Sequence, residues 1–292
     1  MRKFLLLALL LLSPVVMAET PEEKGLAIAL ETDKRDKGWQ DSYAEMKMVL
    51  RNRHGKESVR QIRVTNLEVD GDGDKGLTVF DEPRDIKGTS FLSYSHALEP
   101  DEQWIFLPAL KRVKRISSSN KSGPFMGSEF AYEDISSFEI PKYSYLYLRD
   151  ELFNGMDCYV LELRPQYQHS GYTKSHVWID KAEFRSQKID YYDRKDSLLK
   201  TQIFSDYQQY LDQYWRAHTM TMQNHQNGKS TTLQWDDFQF KNGLNDGDFK
   251  KNDLKRQRKN KCLFSDNRLW PVQGCCCRTI RLYECRISLF SP

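Results

Sequence analysis

The sequence predicts a mainly β protein, one wide antiparallel sheet of about 11 strands with few helices. Three observations predict it. Apolar and polar residues alternate with a period of two along segment after segment, which gives a pleated strand one oily face. The links between those segments are short, as neighbouring antiparallel strands require. Aromatic residues make up 12% of the chain, with 15 Tyr and 15 Phe, and flat rings pack well on a pleated surface. No alternation of helix with strand and no repeat of fixed period competes with this reading.

The elements follow in order. Thr20-Pro21-Glu22-Glu23 reads as a helix start, with Thr20 as cap, Pro21 at the first helical position and Glu23 completing a capping box. The helix is expected to run to about Lys37, stop at Gly38 and lay Leu26, Ala27 and Leu30 against a surface. The period then changes to two: Ala44, Met46, Met48 and Leu50 share one strand face. Val59–Val69 and Leu77–Phe80 are strands joined through Asp70-Gly71-Asp72-Gly73-Asp74. A calcium loop needs Gly at its sixth position and Glu at its twelfth; Lys75 and Asp81 stand there, so the run reads as a turn. Further strands are expected over Thr89–His96, Trp104–Leu110, Tyr143–Arg149 and Cys158–Arg164, the last two turning at Asn154-Gly155. Tyr172–Ile179, Lys188–Tyr192, Leu198–Tyr207, Arg216–Asn224 and Ser230–Phe240 complete the set.

Both ends differ from this middle. Arg2 and Lys3, the apolar run Phe4–Leu12 and the small residues of Val16-Met17-Ala18 form the pattern of a secretory signal peptide, cut between Ala18 and Glu19. The apolar run is shorter than the ~20 residues a membrane span needs. The tail from 259 holds Cys262, Cys275, Cys276, Cys277 and Cys285, with neither strand alternation nor helical spacing, and reads as a disordered or frame-shifted end. The expected division is therefore a signal peptide at 1–18, one domain at 19–258 and the tail at 259–292. The domain keeps a single Cys, Cys158, so packing rather than disulfides must hold it. The formal charge of +3 belongs to the ends; without them the domain is mildly acidic, which argues against a nucleic-acid partner.

Chemistry is sparse. His54, His96, His169, His176, His218 and His225 form no close metal pair, and no nucleophile elbow or phosphate-cradling loop is present. No enzyme activity, metal or cofactor is expected. Met46 with Met48 and Met220 with Met222 fit either plain core or an adaptable lining for acyl chains, because Met is flexible and polarizable. Phe106 is placed with these four as a cavity residue. Lys111, Arg112, Lys114 and Arg115, with Lys121, end an apolar strand and enter a Gly/Pro loop. They read either as a solvated face or as a rim for headgroups or a partner's acidic patch.

As strings, DIKGTSFLSYSH (Asp85 to His96), Asp101 to Ser136, SGYTKSHVWID (Ser170 to Asp180), YYDRKDSLLKT (Tyr191 to Thr201) and Met220 to Trp235 resemble the outer-membrane lipoprotein-sorting protein family. These are periplasmic proteins similar to the lipoprotein carrier LolA. The resemblance spans roughly Glu22 to Arg258. It implies a single half-open antiparallel β-barrel with a few helices over the concave face, whose cavity carries lipid or lipoprotein acyl chains through the periplasm. An RND-type inner-membrane exporter is the partner it implies. The N-terminal helix and the loop Ser117 to Ser136 would form the lid. A regulator that uses the same fold to bind a membrane protein and sense envelope stress is the alternative.

Overall fold

The computed structural model describes residues 18–257. The expected signal peptide, Ala18 apart, and the tail lie outside the described residues. The helix α1 (Pro21–Arg35) starts as its sequence predicts: Thr20 accepts from the Glu23 amide, and the Glu23 carboxylate accepts from the Thr20 amide. It ends two residues before the expected stop, and Gly38 has a φ of +97°.

Among the described residues thirteen strands follow, all paired antiparallel in one sheet that is not closed into a barrel. They are β1 (Asp41–Arg51), β2 (Glu57–Leu67), β3 (Lys75–Glu82), β4 (Ser90–Tyr94), β5 (Glu102–Leu107) and β6 (Arg112–Ile116). After a long connection come β7 (Tyr143–Phe153), β8 (Met156–Pro165), β9 (Lys174–Asp180), β10 (Ser186–Tyr192), β11 (Leu198–Tyr210), β12 (Tyr214–Asn224) and β13 (Ser230–Phe240). The expected count of about 11 is too low, and the basic run Arg112–Ile116, read as loop, is itself a strand. It is an edge strand, and its cations blunt an edge that would otherwise template another chain.

Strand order is β6-β5-β4-β3-β2-β1-β13-β12-β11-β10-β9-β8-β7. Two hairpin meanders are thus sealed at their centre by β1 against β13. The two free edges, β6 and β7, are consecutive in sequence. Residues 117–142, which join them, must therefore cross the whole sheet, and they do so over one face. We call this segment the strap and that face the inner one.

The inner face has two covers. Over β7, β8 and β9, α1 packs Ile28 and Ala29 against Tyr145, Leu161, Leu163, Val177 and Ile179. Gly25 sets the approach, because a Cβ there would lie 2.9 Å from the Tyr147 backbone nitrogen. The buried side of α1 is therefore Gly25, Ile28 and Ala29 rather than the expected Leu26, Ala27 and Leu30; Leu26 and Leu30 are exposed. Over the other half, the strap lies on β1 to β5 and β12. The outer face of β3 to β5 is covered by the chain after β13. Phe249 and Leu254 are buried there, Tyr94 donates its hydroxyl to the Phe249 carbonyl, and Ser90 donates to the Leu254 carbonyl at 2.8 Å. No helix among the described residues is long and apolar enough to cross a membrane.

Candidate functional site

Strand alternation brings the predicted methionines together. Met46 and Met48 on β1 point to the inner face, where Ile62, Phe80, Phe91, Leu233 and Met222 surround them and Met220 packs at the margin. Both Met pairs thus line one apolar surface. Phe106 does not join it. Its neighbour Ile105 faces the methionines, while Phe106 points to the outer face with Leu92 and Trp104, beneath Phe249 and Leu254.

The strap fills the space above the methionines. Pro124 and Ala131 pair across a tight loop, and the Phe125 amide donates to the Phe130 carbonyl at 2.7 Å. This loop drives Phe125 into the core, where its ring meets Phe91 edge-on at 5.1 Å and Phe80 at 6.0 Å. Met126, with a φ of 50°, and Gly127 turn the tip. Arg60, reaching across from β2, donates to the Met126 carbonyl at 2.6 Å. Beside this tip lies a cavity of about 230 Å³ bordered by Leu50, Lys56, Gly127, Lys229 and Thr231.

Polar contacts also hold the strap down through its charged side chains. Lys200 of β11 bonds the Asp134 carboxylate at 2.7 Å and the Glu129 carbonyl at 2.9 Å. Both charged side chains of that pair are only 4% exposed. The Tyr172 hydroxyl donates to Asp134 at 2.8 Å; burial, then the nearby Asp134 and Glu133 charges, raise this phenol well above its usual range, so it stays a donor. Glu133 accepts from Tyr167, Ser170 and the Gly171 amide at 3.0, 2.9 and 2.8 Å. At the strap's outer ends, Asp101 takes Lys121 at 2.7 Å and Lys142. Burial raises the Asp101 carboxyl, but the hydrogen bonds from these two lysines outweigh it and leave the group below the usual range. Lys121 is therefore no rim cation: it is 6% exposed and committed to Asp101.

Between strap and α1, a band of the inner face is only half covered. Phe204 of β11 pairs with Met220, and Met220 in turn with Leu233. Trp235, opposite Met46, stacks on Phe238 at 5.5 Å, and its carbonyl bonds the His218 ring at 2.8 Å. The Trp235 indole N–H is buried and has no partner among the described residues. The arrangement offers an apolar floor of methionine and aromatic side chains with Phe125 set over it.

A crystal structure of a domain from Vibrio parahaemolyticus, named for outer membrane lipoprotein sorting, is 61% identical over 80% of this chain and all of its own, with a TM-score of 0.79. The chain belongs to the outer membrane lipoprotein-sorting protein family. Residues 72–256 also match a family model described as an uncharacterized protein. A DUF1329 family protein from Desulfovibrio piger is 33% identical over 80% of this chain and 99% of its own, with a TM-score of 0.76. A LolA superfamily protein from Nitrosomonas europaea, 21% identical over 78% of this chain and 98% of its own, has a TM-score of 0.63 and shares the fold. No curated protein matches. The lipoprotein-sorting family thus brings the half-open sheet, and this member's strap supplies its detail.

One part of that detail predicts a pH dependence of stability. Glu139, at the strap's exit, is half-buried; burial, then the Asp74 charge, push its carboxyl up to about 7 against the pull of Lys142, with Asp33 of α1 and Asp101 adding repulsion. Burial pushes Asp74, across from it, up to about 6. A carboxyl raised in the folded state favours folding below its unfolded value, and that contribution fades as pH rises through the folded value. Stability should therefore fall between about pH 4.5 and 7. Glu139→Gln is expected to flatten that slope and to exceed the parent in urea midpoint at pH 8. An unchanged slope would remove Glu139 from this role.

Proposed function

We propose that the chain is a periplasmic carrier that buries the acyl chains of a lipid or lipoprotein on its inner face and passes them towards the outer membrane. It works without catalysis, metal or cofactor. Met46, Met48, Met220 and Met222 form the adaptable floor, and Phe125 is the plug that cargo displaces. The observation that carries this reading is the plug itself: an aromatic side chain from a loop, set over a methionine floor and held from the sides by ionic and hydrogen-bonded latches. Buried ion pairs specify a geometry while adding little net stability, so such a latch can open reversibly. Cargo gains ~0.8 kcal/mol per methylene buried, and displacing Phe125 offsets part of that, which permits release. In this reading the buried Trp235 N–H, which has no partner among the described residues, takes an ester or amide carbonyl once cargo opens the face.

An RND-type exporter is the donor or acceptor this reading implies. Lys111, Arg112 and Lys114 are exposed at the β6 edge, whereas Arg115 is paired with Glu102 at 2.9 Å. The test is native mass spectrometry with lipid extraction on protein purified from a bacterial periplasm without detergent. Bound acyl lipid or lipoprotein fragment is the expected result. A ligand-free mass and no uptake of supplied lipid would overturn the carrier and leave the Met face as plain core.

A further inference from the structure

The predicted rim has a second half that lies far away in sequence. Lys111 and Arg112, where the chain enters β6, face Lys251, Asn252 and Lys255 of the C-terminal segment across a cavity of about 310 Å³. Four cations thus border one pocket. No salt bridge among the described residues engages any of them, although the neighbouring Arg115 and Arg256 are each paired with a carboxylate. Lys251 sits 5.5 Å over the Trp104 ring, which props its stem on the outer face. Lys111 ends the short turn Pro108–Leu110 in the left-handed region, with φ 49° and ψ 31°. That conformation suits glycine, and a lysine there accepts strain to present its side chain. Leu110, the residue before it, is 51% exposed. An uncovered leucine beside unpaired cations is the arrangement of an interfacial anchor: the side chain enters the acyl layer while the cations meet phosphates. The domain as a whole is mildly acidic, so this positive pocket is a local feature rather than overall charge.

We infer that this pocket docks the protein on an anionic lipid surface, taking lipid phosphate groups between Lys111, Arg112, Lys251 and Lys255 with Leu110 inserted beside them. The inference rests on the carrier reading for its purpose, since a carrier must visit a membrane, but not for its geometry. The pocket lies at the β6 edge towards the outer face, where Val113 lines it, so the inner face can be loaded while the protein is docked.

The test is sedimentation of the full chain with vesicles of phosphatidylglycerol and phosphatidylcholine in equal parts, against phosphatidylcholine alone. Selective binding to the anionic vesicles is expected, weakening with salt. Each basic side chain near such a surface contributes about fivefold in partitioning. The double variant K251E/K255E should therefore lose well over tenfold, and L110S, which removes the apolar side chain without adding charge, should weaken binding with its salt dependence unchanged. Both lie on the surface, and an unchanged thermal midpoint would show that they fold. Equal binding by parent and K251E/K255E would overturn the inference. So would binding of glycerol phosphate, or of polyglutamate, without any vesicle binding; those outcomes mean a soluble-anion site or a protein-docking site. A fluorescent fatty-acyl probe in solution separates the two readings. Probe uptake without vesicle binding sinks docking alone, and vesicle binding without uptake sinks the carrier alone.

Discussion

Asp134→Ala is expected to cost the fold about 3–5 kcal/mol, read as a lowered urea midpoint at neutral pH. The reason is what remains. Lys200 would keep its charge at 4% side-chain exposure with the Glu129 carbonyl and the Tyr172 and Tyr191 ring faces but no anion beside it, and the Tyr172 hydroxyl would lose its acceptor. A buried unpaired ammonium is far more costly than the intact pair is stabilising. The companion variant distinguishes this from simple loss of packing. Replacing Lys200 by Met as well removes the stranded charge, and the double variant should recover most of the loss. The expected product is a protein of near-parent stability whose strap lacks its central latch. A cost below about 1 kcal/mol for Asp134→Ala would mean that water reaches the pair and that it does not hold the strap.

Phe125→Ala should move stability and binding in opposite directions. The ring is 1% exposed among Phe80, Phe91 and Tyr132, so its removal leaves a hole and is expected to lower stability by about 3–5 kcal/mol. The same hole lies over Met46 and Met48. If ligand must expel Phe125, the parent's apparent affinity is reduced by the fraction of molecules already open, and removing the plug removes that reduction. A fluorescent fatty-acyl probe should then bind the variant about tenfold or more tightly. A fall in affinity alongside the fall in stability would show that Phe125 is ordinary core or a direct contact for cargo.

Some of this was legible in the chain and some was not, for identifiable reasons. The capping box of α1 and the alternation in β1 are local signals, and both the helix start and the shared face of Met46 and Met48 follow from them. Phe106 was misplaced because alternation is silent where both faces are covered: in Trp104-Ile105-Phe106 every residue is apolar, so the pattern cannot say which side faces the strap. Lys121 looked like one more member of a basic run; its partner Asp101 lies 20 residues earlier and is brought to it only by the route of the strap. The second half of the docking pocket was hidden similarly, since Lys251 and Lys255 approach β6 only once Phe249 and Leu254 have covered the outer face. Nothing local could reveal that 117–142 crosses the sheet. That follows from β6 and β7 being opposite edges, which is a property of the strand order.

The strap's attachment to both edges also fixes how far the half-barrel can widen. Thirteen strands laid flat would span about 60 Å from edge to edge, whereas the chain from Ile116 to Tyr143 pulled straight could reach about 90 Å. The difference is slack, wound into the short turns Ser118–Asn120, Phe125–Gly127, Tyr132–Asp134 and Ile140–Lys142, which rise far less per residue than extended chain. Any spreading of the sheet would therefore unreel these turns before it unzipped a strand. Asp134 pins one of them, Lys142 another, and Lys121 with the Met126 carbonyl the stretch between the first two, so each length of slack is released only when its own ion pair or hydrogen bond lets go.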